Sequence, residues 1–180
     1  MDEKDFRAKQ VEWDEKNLDR RVERWKQIVP ATYDVTLPSL AWYYITKATE
    51  MYIAGHFLGV VLISAAIAEM ILADKVISVM KKQSKQSEGL DKLVKQAYKL
   101  GVLSGKEANQ LSGLRNLRNC LIHANDGELS QMSRERYGTL ERQDAGFYLV
   151  SNWGNGLDKD ALDYFTLVSN LTVKFYGEKD

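Results

Sequence analysis

The sequence predicts an all-α protein, an antiparallel helical bundle of about five to six helices. Three observations carry that expectation. Only two prolines, Pro30 and Pro38, interrupt 180 residues, which leaves room for long helices. Apolar residues recur in most segments at the three- and four-residue spacing of a helix face. Residues 57–82 are apolar nearly all round and turn polar only towards their C-terminal end, as the central helix of a bundle would.

The elements follow in order. Residues 1–30 form a charged amphipathic helix of mixed sign that precedes a bundle domain at 37–177. Its apolar seam is Val11, Leu18, Val22, Trp25 and Val29, spaced by seven, four, three and four. Such a seam can grip a partner or a second copy, or lie across its own domain. Pro30 ends this helix. TYDVTLPSL connects to a second helix, with Pro38 suited to its first turn. Leu40, Tyr43, Tyr44, Met51 and Phe57 carry its pattern, and Gly55 breaks it. After the central helix, KKQSKQSEG is a polar loop, and Leu90, Leu93, Val94, Ala97 and Tyr98 make a short helix stopped by Gly101. Ser104 then caps a long helix, with Glu107 three residues on in the capping-box arrangement. Residues 130–142 are polar and fit a short helix. FYLVSNW, residues 147–153, is aromatic and β-prone and is expected to form a short extended segment on the bundle, followed by a turn at WGNG. Residues 157–176 form the last helix, with Leu162, Phe165, Val168, Leu171 and Phe175 on one stripe.

Composition narrows the function. Lys+Arg and Asp+Glu are 25 each, so the net charge is zero and no broad electrostatic hold on nucleic acid or an acidic membrane is evident. One cysteine, Cys120, excludes an internal disulfide and fits a reducing, cytoplasmic compartment. One Cys with two His, His56 and His123, makes a zinc site improbable, and no glycine-rich phosphate loop occurs, so neither a metal nor a cofactor is expected. The charged start MDEKDFRAKQ is unlike a signal peptide. The greasiest run, FLGVVLISAAIA, is too short to span a bilayer, and Glu69 and Asp74 follow it. No membrane partner is expected.

The stretch RNLRNCLIH, residues 115–123, holds the chemistry. A helix advances about 100° per residue. With Arg115 at zero, Leu111, Leu114, Leu117, Leu121 and Ile122 fall in a core sector from roughly 200° to 340°. Ser112, Asn116, Asn119 and His123 form a polar face near 40° to 100°. Arg118 lands at about 300°, among the leucines. It either snorkels to water or enters a polar pocket, and a buried guanidinium would need an acid. Glu69, which closes the apolar run, is the acid on offer. His123 near the helix end can serve the terminal carbonyls. Asn119 lies one turn before His123 and can orient its imidazole. Arg118 projects about 140° from His123, so one helix cannot aim both at one atom, whereas two copies facing across a twofold could.

These residues resemble the signature of the HEPN superfamily, the higher eukaryote and prokaryote nucleotide-binding domains: an arginine, a polar residue, then a histidine after a short gap. Arg118, Asn119 and His123 match it, and the helices at residues 45–78, closed by Glu69, resemble the pair that precedes the motif. The similarity covers roughly residues 38–125 and is greatest to the HEPN-like, defence-associated group. It implies a metal-independent endoribonuclease acting as a homodimer, in which the ribose 2′-OH attacks the adjacent phosphorus. His123 would be the general base or acid, since imidazole can take or give a proton near neutrality. Arg118 would hold the phosphate, Asn119 would fix the histidine or touch substrate, and Glu69 would orient Arg118. Arg115 and Asn116 would contact flanking RNA, with a surface salt bridge the competing role for Arg115. An antitoxin or another defence-system protein would be the partner. The same family contains inactive dimerisation or partner-binding modules, and a helical scaffold with a chance motif is the third reading.

Overall fold

A computed structural model describes residues 3–28, 39–80, 89–123 and 148–177. Among the described residues there are six helices and no strand: α1 (Glu3–Ile28), α2 (Ser39–Ala54), α3 (Phe57–Met80), α4 (Leu90–Lys99), α5 (Gly105–His123) and α6 (Tyr148–Tyr176). Pro30, Pro38, the loop at 81–88 and the expected helix at 130–142 lie outside the described residues.

The bundle is built round α3, which packs against α2, α4, α5 and α6. Val60, Val61, Ile67, Ile71 and Leu72 of α3 are fully buried. They point in several directions round the helix, so one neighbour could not cover them. By length and composition α3 could also cross a membrane, since the helix runs well beyond the twelve-residue apolar stretch; 44% of its most apolar window is buried in the bundle. Contacts between helices fix their directions. Arg24 and Gln27 near the end of α1 meet Ile53 and Tyr52 near the end of α2. Tyr52 packs edge-on against Phe57 at 5.5 Å, closing the α2–α3 hairpin. Asp91 pairs with Arg115 while Tyr98 lies beside Gly105, and Gly113 meets Tyr164 while Glu107 meets Lys174; thus α4–α5 and α5–α6 are antiparallel too.

Two glycines end helices as the sequence expects. Gly55 (φ 85°) and Gly101 (φ 71°) both adopt the left-handed conformation. At each, two N–H groups bond back to close the turn: Gly55 to Tyr52 and His56 to Met51, then Gly101 to Tyr98 and Val102 to Ala97. Both are Schellman motifs, which satisfy the last carbonyls of α2 and α4. Ser104 and Glu107 form the expected reciprocal cap, Ser104 N–H donating to Glu107 at 2.6 Å and Glu107 N–H to Ser104 Oγ at 3.3 Å. Lys174 of α6 adds donations to Glu107 Oε1 at 2.9 Å and to the Val102 carbonyl at 3.1 Å, tying the start of α5 to the end of α6.

Three expectations need correction. The extended segment at 147–153 and the turn at WGNG are not seen: residues 148–153 are the first turns of α6, which runs on through both glycines. A helix nucleated over residues 157–176 gains a hydrogen bond for each residue added, and each interior glycine costs only about 1 kcal/mol, so weak β-propensity loses. In α2 the buried face is Ala41, Ile45, Ala48 and Tyr52, while Leu40 and Tyr43 are exposed; small residues let α2 lie close to α3, and the larger ones are displaced outwards. Tyr98 is likewise exposed, because α4 buries Leu90, Leu93, Val94 and Ala97 instead.

The cap predicts a pH dependence. Burial pushes the Glu107 carboxyl upwards, but hydrogen bonds from Lys174 and Ser104 outweigh it and leave the group below its ordinary 4.5. A carboxyl depressed in the folded state contributes stability that is complete above its unfolded value and lost as pH falls through the folded one. Thermal melts from about pH 7 to about pH 3 should therefore show a steeper loss of Tm in the wild type than in Glu107→Gln, with the difference confined to the acid limb. At neutral pH Ser104→Ala should cost about 1 kcal/mol, or roughly 2–4 °C in Tm.

Candidate functional site

Helix α5 is oriented by its leucines. Leu111, Leu114 and Leu117 are at most 2% exposed, which sets the rotation of every other side chain on the helix. Asn116 and His123 are then exposed and Asn119 is half-buried. Ile122, expected on the core face, is 47% exposed, and Leu121 is only half-buried. The last turn of α5 therefore runs past the buried core and carries His123 out with it.

Arg118 does not snorkel freely. Its Nη1 donates to Glu69 Oε1 of α3 at 3.2 Å, with the two side chains 33% and 32% exposed. The same oxygen accepts the N–H of Leu90 at 3.2 Å. That N–H opens α4, whose N-cap residue is Gly89 and has no side chain to cap with. Glu69 thus caps a neighbouring helix, where the positive end of the helix dipole favours a carboxylate. One turn earlier on α5, Arg115 Nη1 donates to Asp91 Oδ1 at 2.6 Å, and Lys95 reaches the other Asp91 oxygen at 2.8 Å. The Lys95 hydrogen bond holds the Asp91 carboxyl below its usual range; burial opposes this and the Arg115 charge adds to it. Two arginines of α5 therefore meet two acids at the start of α4.

The motif residues fall into two groups. Arg118 and Glu69 lie on the side of α5 that faces α3 and α4. Asn116, Asn119 and His123 share the outward polar side, separated from Arg118 by about 100° or more round the helix axis. A guanidinium has five N–H donors, so each arginine keeps donors for a phosphate beyond the one bond made to its acid. The exposed imidazole of His123 is open to a substrate. Glu69 also borders a mostly apolar groove of about 300 Å³, lined by Leu40 and Tyr44 of α2, Met70 and Ile77 of α3 and Leu93 of α4. No other motif residue lines it. Among the described residues no three His, Cys, Asp or Glu side chains gather as metal ligands, and Cys120 is a half-buried free thiol.

Sequence reasoning named Glu69 as the acid that Arg118 would need, because it is the one carboxylate closing the apolar run. It missed Asp91 and the Leu90 N–H. The i,i+4 spacing of Asp91 and Lys95 marks an exposed helix face, and nothing in it points to Arg115 twenty-four residues away. Comparison of the chain with protein-family models, with curated proteins and with solved structures gives no match.

The shared oxygen on Glu69 makes a stability prediction. Both side chains of the ion pair are about one-third exposed, so the charge attraction is largely screened and the hydrogen bonds carry most of the effect. Glu69→Ala leaves the Leu90 N–H without its acceptor and should cost about 1–2 kcal/mol. Glu69→Gln keeps an acceptor and should recover more than half of that. Urea melts of the two variants check it; equal losses would show that charge, not the accepted hydrogen bonds, is what matters.

Proposed function

We propose that this chain is a HEPN-type endoribonuclease that acts as a homodimer without a metal ion, in the cytoplasm, under the control of an antitoxin or another defence-system protein. The observation that carries the reading is that Arg118, paired with Glu69 of α3, lies on the same helix that ends in an exposed His123. It supplies an anchored phosphate-binding group and an accessible acid–base group five residues apart along α5. On one α5 they diverge, and a twofold pairing of two α5 helices brings an arginine of each copy towards the histidine of the other.

In this reading His123 accepts the proton of a ribose 2′-OH, and the oxygen attacks the adjacent phosphorus. The bond from phosphorus to the 5′-oxygen breaks, leaving a 2′,3′-cyclic phosphate. The departing 5′-oxygen takes a proton from the second copy's imidazole or from water. Arg118 binds a non-bridging phosphate oxygen, and Glu69 fixes the guanidinium in advance, so little ordering is left for the reaction itself. Asn119 positions the imidazole, while Arg115 and Asn116 touch flanking RNA.

A second reading has its own observation. Arg115 and Arg118 are both engaged by acids of the same chain, and the net charge is zero, so little uncommitted positive charge faces a polyanion. This favours a HEPN-like dimerisation or partner-binding module without catalysis.

One assay separates the two. Purified protein is incubated with mixed RNA in EDTA, beside His123→Ala and Arg118→Ala. The nuclease reading expects cleavage to 2′,3′-cyclic ends, reduced by about 10²–10⁴-fold in His123→Ala. His123 is exposed, so that variant should melt like the wild type. Absence of cleavage on diverse RNAs, or equal cleavage by the variants, rejects the nuclease and leaves the module.

A further inference from the structure

Helix α1 carries an apolar seam that the described residues leave exposed. Val11 and Leu18 are each 57% exposed, Val22 42% and Trp25 52%. Near its C-terminal end the helix is held to α2: Arg24 donates to the Ile53 carbonyl at 3.2 Å and lies over the Phe57 ring, Tyr52 donates to Gln27 at 2.8 Å, and Ile28 is buried. On a helical wheel the four seam residues fall within about 60°, while Arg24, Gln27 and Ile28 lie on another side, at least about 60° away. Docking on α2 therefore turns the seam away from the bundle.

We infer that α1 is a self-association arm, pairing along Val11, Leu18, Val22 and Trp25 with α1 of a second copy. The spacing is the first argument. A helix that lies on a globular core shows a broad apolar face, whereas a narrow stripe spaced by seven, four and three residues fits the seam of a two-stranded coiled coil. The area is the second. A 26-residue helix is about 39 Å long, and two such helices in contact along their length bury on the order of 1,500 Å², the size of a stable protein interface. Charge is the third. Acids and bases alternate along α1 and nearly cancel, so a second copy is not repelled, whereas neither a polyanion nor an acidic membrane surface finds a one-signed face. The pairing does not rest on the nuclease reading, which concerns α5.

The test uses the full chain. Light scattering and sedimentation should give a dimer at micromolar concentration. Leu18→Glu and Val22→Glu should each weaken it by about a hundredfold, with helical content unchanged by circular dichroism. Arg20→Glu, off the seam, and His123→Ala should leave the dimer intact. In a Cys120→Ser background, oxidation of Leu18→Cys should crosslink two copies if the helices run parallel, and Leu18→Cys with Val22→Cys if they run antiparallel. A monomeric wild type, a dimer indifferent to both glutamates, or the absence of both crosslinks overturns the inference. So does a monomer whose seam instead binds lipid vesicles. Loss of RNA cleavage alone leaves it standing, which separates its failure from that of the nuclease.

Discussion

The need to cover α3 places most of this structure. Among the described residues four helices pack on it, and small residues are buried on both α3 and α2. Ala65 and Ala68 of α3 are buried, as are Ala41 and Ala48 of α2. A Cβ on Gly59 would come within 2.7 Å of the Met51 sulfur. Such packing trades side-chain volume for proximity of the backbones, and it leaves larger residues such as Leu40 and Tyr43 at the margins. It also has a polar cost. Ser64 and Ser169, on the α3–α6 pair, are buried with no hydrogen-bond partner among the described residues.

Much of this was legible in the sequence, for identifiable reasons. The ends of α2, α4 and α5 were, because Gly55, Gly101 and the Ser104–Glu107 pair act locally and need no knowledge of the neighbours. The central helix was legible because almost no other segment is apolar all round. The start of α6 was not. Its first turns hold aromatic and β-branched residues with two glycines, and what makes them helical is continuity with the segment that follows. The rotation of α2 was missed as well: the eye follows Leu40, Tyr43 and Tyr44, whereas the alanines decide the packing.

The site was partly legible on the same principle. Arg118 among leucines demands an acid, and Glu69 was the one placed to supply it. Asp91 is an ordinary first-turn acid whose partner is set by how α4 and α5 are stacked, so only the three-dimensional arrangement reveals it. The exposure of His123 likewise depends on where α5 outruns the buried core. A motif of six residues thus divides into an anchored half and an open half. The helix that carries them points the two halves in different directions.

One consequence lies in the double duty of a single oxygen. Glu69 Oε1 serves both Arg118 and the first N–H of α4. These two claims compete. An anion that drew Arg118 away would leave the whole carboxylate to α4 and fasten that helix more firmly. By thermodynamic reciprocity, prising the first turn of α4 from α3 would return the carboxylate to Arg118 and weaken its hold on the anion by the same factor. A ten-residue helix whose N-cap glycine offers no side-chain cap thus shares a carboxylate oxygen with Arg118, so whatever shifts Glu69 disturbs the helix start and the arginine together.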